Sequence, residues 1–220
     1  MADERKTEEV QHPDAWLKPA RELSLPRDGH VRTRGLNVLA ALSYVHKRGG
    51  RHALAKVFAH LDEKDLAILA GGDRRYGSKL VATRWYPFAL QARLLRAIDA
   101  AFGNGDLELL FEVGYYMASR DVPRVFRPLM RVGSPGWILG LAGRMWSYYH
   151  DRGRWQLERT PVSIIATLRD HPEADEAFCR TFVGWMTAAL EYSGATDIDG
   201  AHPACGARGA PHCVFTVRWS

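Results

Sequence analysis

Three cysteines carry the clearest chemistry in this chain. Cys205 and Cys213 stand eight positions apart, on either side of the stretch Gly206-Ala207-Arg208-Gly209-Ala210-Pro211-His212. Cys179 lies 26 positions before Cys205, inside an amphipathic segment, and His202 and His212 are close by. Zinc takes four soft or borderline ligands in a tetrahedron, most often Cys and His. Two thiolates flanking a turn can meet. A helix packed behind the turn can supply a third ligand, and His202 a fourth. The same cysteines also suit an inert role, because Cys is among the most buried residue types.

Aromatic residues are the second feature. Trp85, Tyr115, Tyr116, Trp146, Tyr149, Trp155 and Trp185 crowd the middle of the chain together with Tyr86, Phe88, Trp137 and Tyr148. They can fill a core. Their flat faces and polar tips equally suit a pocket for an apolar or aromatic small molecule. A third feature is the row Arg120, Arg124, Arg127 and Arg131, spaced along one helix face but interrupted by Pro128. Such a face is either solvated or turned toward an acidic partner.

The usual catalytic signatures are missing. There is no Gly-x-Gly-x-x-Gly after a strand, no Walker loop, no His-Glu-x-x-His, no Gly-x-Ser-x-Gly and no Cys-x-x-Cys. The expectation is a protein without enzymatic activity. The 220 residues carry a net charge of +5, which does not by itself call for nucleic acid. No apolar run approaches the roughly 18–20 residues of a membrane span. Met1–Lys6 is charged in both senses and has no apolar segment, which predicts a cytoplasmic protein. Three cysteines are too few for a disulfide scaffold.

The elements that must position these residues follow from periodicity. Residues 1–33 hold Pro13, Pro19 and Pro26 with sparse, aperiodic apolar positions, and read as a mobile tail. Residues 34–220 read as one domain. A helical run from Leu36 ends at Gly49-Gly50, a second helix follows, and Asp62 can cap a third. Residues 72–84 read as a polar loop. Trp85-Tyr86-Pro87-Phe88 is expected to open a helix, with Pro87 in its first turn. Further helices are expected from Asp106, from Asp121 and from Ser134-Pro135 to about Tyr149. The period then changes. Arg154–Thr160 and Ser163–Leu168 read as a hairpin, about 172–192 as a long helix, and Thr196–Ile198 and Cys213–Trp219 as strands. The fold class is α+β: a helical layer on a small antiparallel sheet, ending β-β-α-β-β.

The segment His202-Pro203-Ala204-Cys205-Gly206-Ala207-Arg208-Gly209-Ala210-Pro211-His212-Cys213-Val214-Phe215 resembles the closing motif of the 4-vinyl reductase domain family. There a Cys, an Arg-Gly and a second Cys lead into the last strand. The resemblance covers about residues 35–220, and Trp85-Tyr86-Pro87-Phe88 and Gly133-Ser134-Pro135 look like a stand-alone bacterial subgroup. It implies a fold shared with vesicle-tethering TRAPP subunits and with heme-based nitric oxide sensor domains.

The chain is also similar to the sensor domains of phenol-responsive transcription activators. In these a helix Cys, an acidic residue and the two motif Cys residues hold zinc. That resemblance implies a structural zinc site at Cys179, Cys205 and Cys213, with His202 where the acidic ligand would stand; Asp199 and His212 are the other candidates for the fourth position. It further implies a sensor or regulatory module that binds a hydrophobic or aromatic small molecule, acts as a homodimer and signals through a separate protein partner. The alternative it implies is a scaffolding subunit. Heme is left open, since none of the nine histidines stands in a recognisable heme-ligand context.

Overall fold

A computed structural model describes residues 7–8, 30–69, 79–125 and 135–220. The elements are β1 (Thr7–Glu8), β2 (Arg32–Arg34), α1 (Gly35–Phe58), α2 (Glu63–Leu69), β3 (Trp85–Pro87), α3 (Phe88–Phe102), α4 (Leu109–Val125), α5 (Pro135–Arg144), α6 (Trp146–Tyr149), β4 (Arg154–Thr160), β5 (Ser163–Arg169), α7 (Glu176–Tyr192), β6 (Asp199–Ala204) and β7 (Cys213–Arg218). The main sheet is antiparallel in the order β1-β4-β5-β7-β6. The architecture is thus α+β with the expected β-β-α-β-β close.

Alternation sets the inner face of the sheet. Trp155 and Leu157 on β4, Ile164, Ala166 and Leu168 on β5, and Cys213, Phe215 and Val217 on β7 are all buried. α7 lies across this face. It starts at Asp175, whose carboxylate accepts the Phe178 N–H at 3.1 Å. On its other side α7 crosses α4 at very short range. A Cβ on Gly184 would lie 2.0 Å from the Phe111 carbonyl oxygen, and one on Gly114 1.7 Å from that of Thr181. Only glycine permits this crossing. α3 packs on α1 with Leu90, Leu94, Leu95 and Ile98 buried.

Several boundaries follow the sequence. α1 breaks at Gly49 and at Gly50 (φ 59°), and Asp62 caps α2 through the Asp65 N–H at 2.8 Å. Others are corrected. Trp85–Pro87 is a strand, not a helix start; it pairs with Arg32–Arg34, and α3 begins only at Phe88. A residue before proline avoids helical dihedrals, so Tyr86 is extended, and Pro87 itself sits at ψ 132°. No separate helix starts at Asp121, because α4 runs through to Val125.

Thr196–Ile198 is not a strand either. Thr196 exchanges backbone bonds with Ser220, but Asp197 turns left-handed at φ 47°, so β6 begins at Asp199. The packed chain also starts earlier than residue 34, since Val31 is fully buried and Arg32–Arg34 form β2. Thr7–Glu8, also within the expected tail, pairs with β4. Most of the remaining tail, most of the 72–84 loop, and Arg127 and Arg131 of the arginine row lie outside the described residues.

Candidate metal centre and aromatic layer

Cys179 lies in the first turn of α7, where its N–H bonds to the Asp175 carbonyl at 2.9 Å. Cys213 opens β7, and its sulfur faces α7, placing the two sulfurs 3.7 Å apart. Between Cys205 and Cys213 the chain makes a tight 3-10 turn, Gly206–Arg208, closed by Gly209 at φ 86°. The Gly206 N–H points at the Cys213 sulfur at 3.3 Å. A side chain on Gly206 would meet the Ala174 Cβ at 2.8 Å, so glycine fits best where the turn backs onto the segment leading into α7.

His202 and Cys205 reach the same point through a bulge. β6 and β7 pair as Ala201↔Thr216 and then Ala204↔Val214, which leaves one extra residue at His202-Pro203. Strict alternation would put positions 202 and 205 on opposite faces. The extra residue resets the phase, so both turn inward. The His202 ring stacks on Phe215 at 4.5 Å between centroids, and its Nε2 is buried with no hydrogen-bond partner. The Arg208 guanidinium donates to the His202 carbonyl at 3.0 Å and lies 3.4 Å from Glu176, tying the turn to α7.

One ligand atom from each of Cys179, His202, Cys205 and Cys213 lies within 4.8 Å of every other. The three cysteines are buried and unbridged. Hydrogen bonds to the Cys205 and Cys213 sulfurs, with burial behind them, push the Cys179 thiol far up. The same bonds lower Cys205 to about 7 and Cys213 to about 4, against the desolvation that opposes them. The cluster therefore eases proton loss at Cys213, and less strongly at Cys205, and a metal needs its sulfurs deprotonated. The donor set fits zinc: three soft sulfurs, one imidazole, and an orphaned buried nitrogen that a metal would satisfy. The other two candidates for the fourth position lie elsewhere. His212 accepts from Arg169 at 2.7 Å, and Asp199 is exposed at the start of β6.

The expected pocket residues divide. Trp146, Trp155 and Trp185 converge around Phe182. Trp155 stacks on Phe182 at 5.0 Å, Trp185 lies parallel to the same ring at 6.0 Å, and Trp146 meets Trp155 edge-on at 5.3 Å. The other four do not join them. Trp85 lies under the Arg34 guanidinium at 3.8 Å. The Tyr115 hydroxyl donates to Glu191, which pushes it up to about 12. Tyr116 shares a 3.0 Å hydrogen bond with Ser43, and Tyr149 packs edge-on against Tyr148.

Two histidines enter the layer that the sequence did not single out. His150 is buried and stacks on Trp146 at 3.9 Å. His171 stacks parallel to Phe178 and meets Phe88 edge-on at 4.7 Å. His150 Nδ1 and both ring nitrogens of His171 are buried without a hydrogen-bond partner. Burial lowers both imidazoles below their ordinary range, His150 strongly, with His171 adding to the effect on it. No sequence signal marked them, because each is a lone His between unrelated elements. A cavity of about 20 Å³ adjoins the layer, lined by residues including Leu139, Gly143, Trp155, Phe182, Trp185 and Met186.

The fold defined by this helical layer and sheet is that of the H-NOX domains. An H-NOX protein from Shewanella oneidensis in the Fe(II)NO ligation state superposes with a TM-score of 0.61 at 14% identity, over 85% of this chain and 99% of that one. An Fe(II) unliganded H-NOX protein from K. algicida gives 0.60 at 14% identity, over 85% and 96%. An oxygen-binding H-NOX domain related to soluble guanylate cyclases gives 0.56 at 9% identity, over 85% and 95%. No protein-family model and no curated protein sequence matches the chain.

Iron and heme are named for such neighbours. Among the described residues, those around this layer do not fit a heme. The cavity of about 20 Å³ has room for little more than one water molecule. His150 is packed face-on by Trp146 and edge-on by Phe88 and Phe178, with no open side for a macrocycle. Among the described residues, no helix is long and apolar enough to cross a membrane.

Proposed function

We propose that this protein is a non-catalytic regulatory module that binds a small apolar or aromatic molecule in the layer between α7 and the sheet, and that a structural zinc ion stiffens its closing hairpin. The observation that carries the ligand reading is the set of orphaned imidazole nitrogens of His150 and His171 inside an aromatic layer. Buried polar atoms are normally paired, and each unpaired one costs about 1–3 kcal/mol. A ligand that offers a hydrogen-bonding group at one end and an apolar body at the other answers both features. The adjoining apolar cavity beside Trp155 and Trp185 gives that body a place to enter as side chains shift.

Zinc at Cys179, His202, Cys205 and Cys213 has a different role. Four protein ligands leave no position for water, so the metal supplies folding energy and no hydrolytic chemistry. Output passes to a homodimer interface or a separate protein partner. Ligand binding biases that output only by preferring one of two arrangements of the layer.

The second reading is a scaffolding subunit, and the close filling of the layer favours it. Thermal melts with a panel of monocyclic aromatic compounds separate the two. A binding module gains stability as RT ln(1 + [L]/Kd), about 2.7 kcal/mol at one hundred times Kd. A scaffold gains nothing from any member of the panel.

A further inference from the structure

The two ring nitrogens of His150 stand in different surroundings. Its backbone ends α6, with its N–H on the Trp146 carbonyl at 2.9 Å, and pairs with Thr33 on β2 as a single antiparallel bridge. That bridge sets the imidazole beside the junction of β2 and α1, where Thr33 and Asn37 stand four positions apart and bond to each other. Nε2 meets the Asn37 side-chain nitrogen at 3.5 Å, whereas Nδ1 is buried with no hydrogen-bond partner among the described residues.

A neutral imidazole carries one N–H, and the bond made at one nitrogen decides which nitrogen holds the proton. Burial keeps the His150 ring neutral. The hydrogen bonds behind Nε2 then place its proton. The Tyr149 carbonyl can only accept, and the Thr33 hydroxyl donates to it at 3.5 Å. Thr33 Oγ1 therefore presents a lone pair to Asn37, whose Nδ2 donates to it at 2.9 Å. The same Nδ2 has a second hydrogen, and His150 Nε2 is the atom within its reach. Nε2 accepts, so the proton sits on Nδ1. The unpaired nitrogen of His150 is thus a donor. His171 sets no such rule, because a neutral ring unpaired at both nitrogens offers one donor and one acceptor.

We propose that Asn37 sets the ligand specificity of the aromatic layer: it holds His150 in the Nδ1–H tautomer, so the ligand's polar end is a hydrogen-bond acceptor, a ring nitrogen or a carbonyl oxygen. This rests on the ligand reading above. A molecule that brings only a donor would set its own N–H against that of His150 and leave both unpaired in a buried layer. A site built around one hydrogen-bonding sense rejects a ligand that lacks it far more strongly than an apolar wall rejects a change of shape. Asn37 is a positioning residue here, acting through the imidazole rather than on the ligand.

The test has two readouts on the full chain. Long-range proton–nitrogen correlation spectra of isotope-labelled protein show which ring nitrogen of His150 is protonated, and the His150→Phe variant assigns its signals. The expected result is Nδ1–H in the wild type and Nε2–H, or a mixture, in Asn37→Leu, with folding verified by circular dichroism. The second readout is affinity for pyridine, which only accepts, and for pyrrole, which only donates, measured by thermal shift at about pH 8, where the imidazoles are neutral. Comparing the ratio of the two affinities between proteins cancels the difference in hydration of the probes. The preference for pyridine is expected to be at least about fivefold greater in the wild type than in Asn37→Leu. Nε2–H in the wild type, Nδ1–H retained in Asn37→Leu, or one probe ratio in both proteins overturns the proposal, and the wild-type spectrum decides even where Asn37→Leu does not fold. Nδ1–H in the wild type with no binding of either probe overturns the ligand reading itself, and the acceptor rule with it.

Discussion

The sulfurs of Cys179 and Cys213 stand 3.7 Å apart although 34 positions separate them in the chain. One is in the first turn of α7 and the other opens the last strand, so the contact joins the helical layer to the sheet at one end. His202 and Cys205 close around it from the bulged edge strand. A metal there would tie α7 to the hairpin of β6 and β7, which already pair with each other through backbone hydrogen bonds.

Removing one sulfur should therefore loosen the whole C-terminal hairpin. Cys205→Ser is expected to cost several kcal/mol, because metal affinity at such a site is folding energy. Native mass spectrometry of the wild type should show one extra zinc, lost in the variant and after chelation. A bare chain, with an unchanged melting temperature in Cys205→Ser, would make these cysteines ordinary core residues.

The α4–α7 crossing yields a second expectation. Gly184→Ala drives a methyl to 2.0 Å from the Phe111 carbonyl, and backbone cannot yield as a flexible side chain does. The helices must separate, at a cost of about 1–3 kcal/mol or more. Ala at Gly209, where no atom lies within 4 Å of the new Cβ, should cost only the strain of its positive φ. Urea denaturation of the two variants measures the difference.

The contrast between Trp155 and Trp85 is a third. Trp155 is buried against Phe182 and Phe215, and Trp155→Ala should cost about 3–5 kcal/mol. Trp85 is half-buried beneath Arg34, so Trp85→Ala should cost clearly less, mostly a cation–π contact of about 0.5–1 kcal/mol at an exposed site plus part of its packing. Equal losses in chemical denaturation would place Trp85 in the core after all.

These pairs also show which features could be read in advance. The cysteine spacing alone suited buried core residues as well as a metal, and it was the resemblance of the closing motif that singled out Cys179, Cys205 and Cys213 as a cluster. His202 was reachable only as one of three candidates. Its inward aim depends on one extra residue in β6, and a bulge leaves no mark in an alternating pattern as short as Asp199–Ala204. The hairpin and α7 were legible from their periods. Trp85–Pro87 was not, because Pro near a helix start fits both a first helical turn and a strand end, and the deciding partner, Arg32–Arg34, lies some 50 positions away. The aromatic count could not separate the rings around Phe182 from Tyr115 and Tyr116. Trp155 sits on a strand and the others on helices, and only the tertiary packing tells which of them meet around Phe182.

His150 gives the last prediction, on acid stability. Burial, helped by His171, holds its imidazole neutral and well below the ordinary 6.5 in the folded state. In the unfolded chain it takes up its proton near 6.5. Between those two values the unfolded state binds the extra proton, so stability rises with pH across that window. The contribution is complete above about pH 6.5. As pH falls below that, it is lost at up to about 1.4 kcal/mol per pH unit for one proton. His150→Phe keeps a ring of similar shape against Trp146 and removes the titration. Its melting temperature should fall less between pH 7 and pH 5 than that of the wild type. The Cys179, His202, Cys205 and Cys213 cluster also responds to acid, but it is the same in both proteins, so it cancels in the comparison. An identical acid response in the two would show that His150 is not held neutral by the fold.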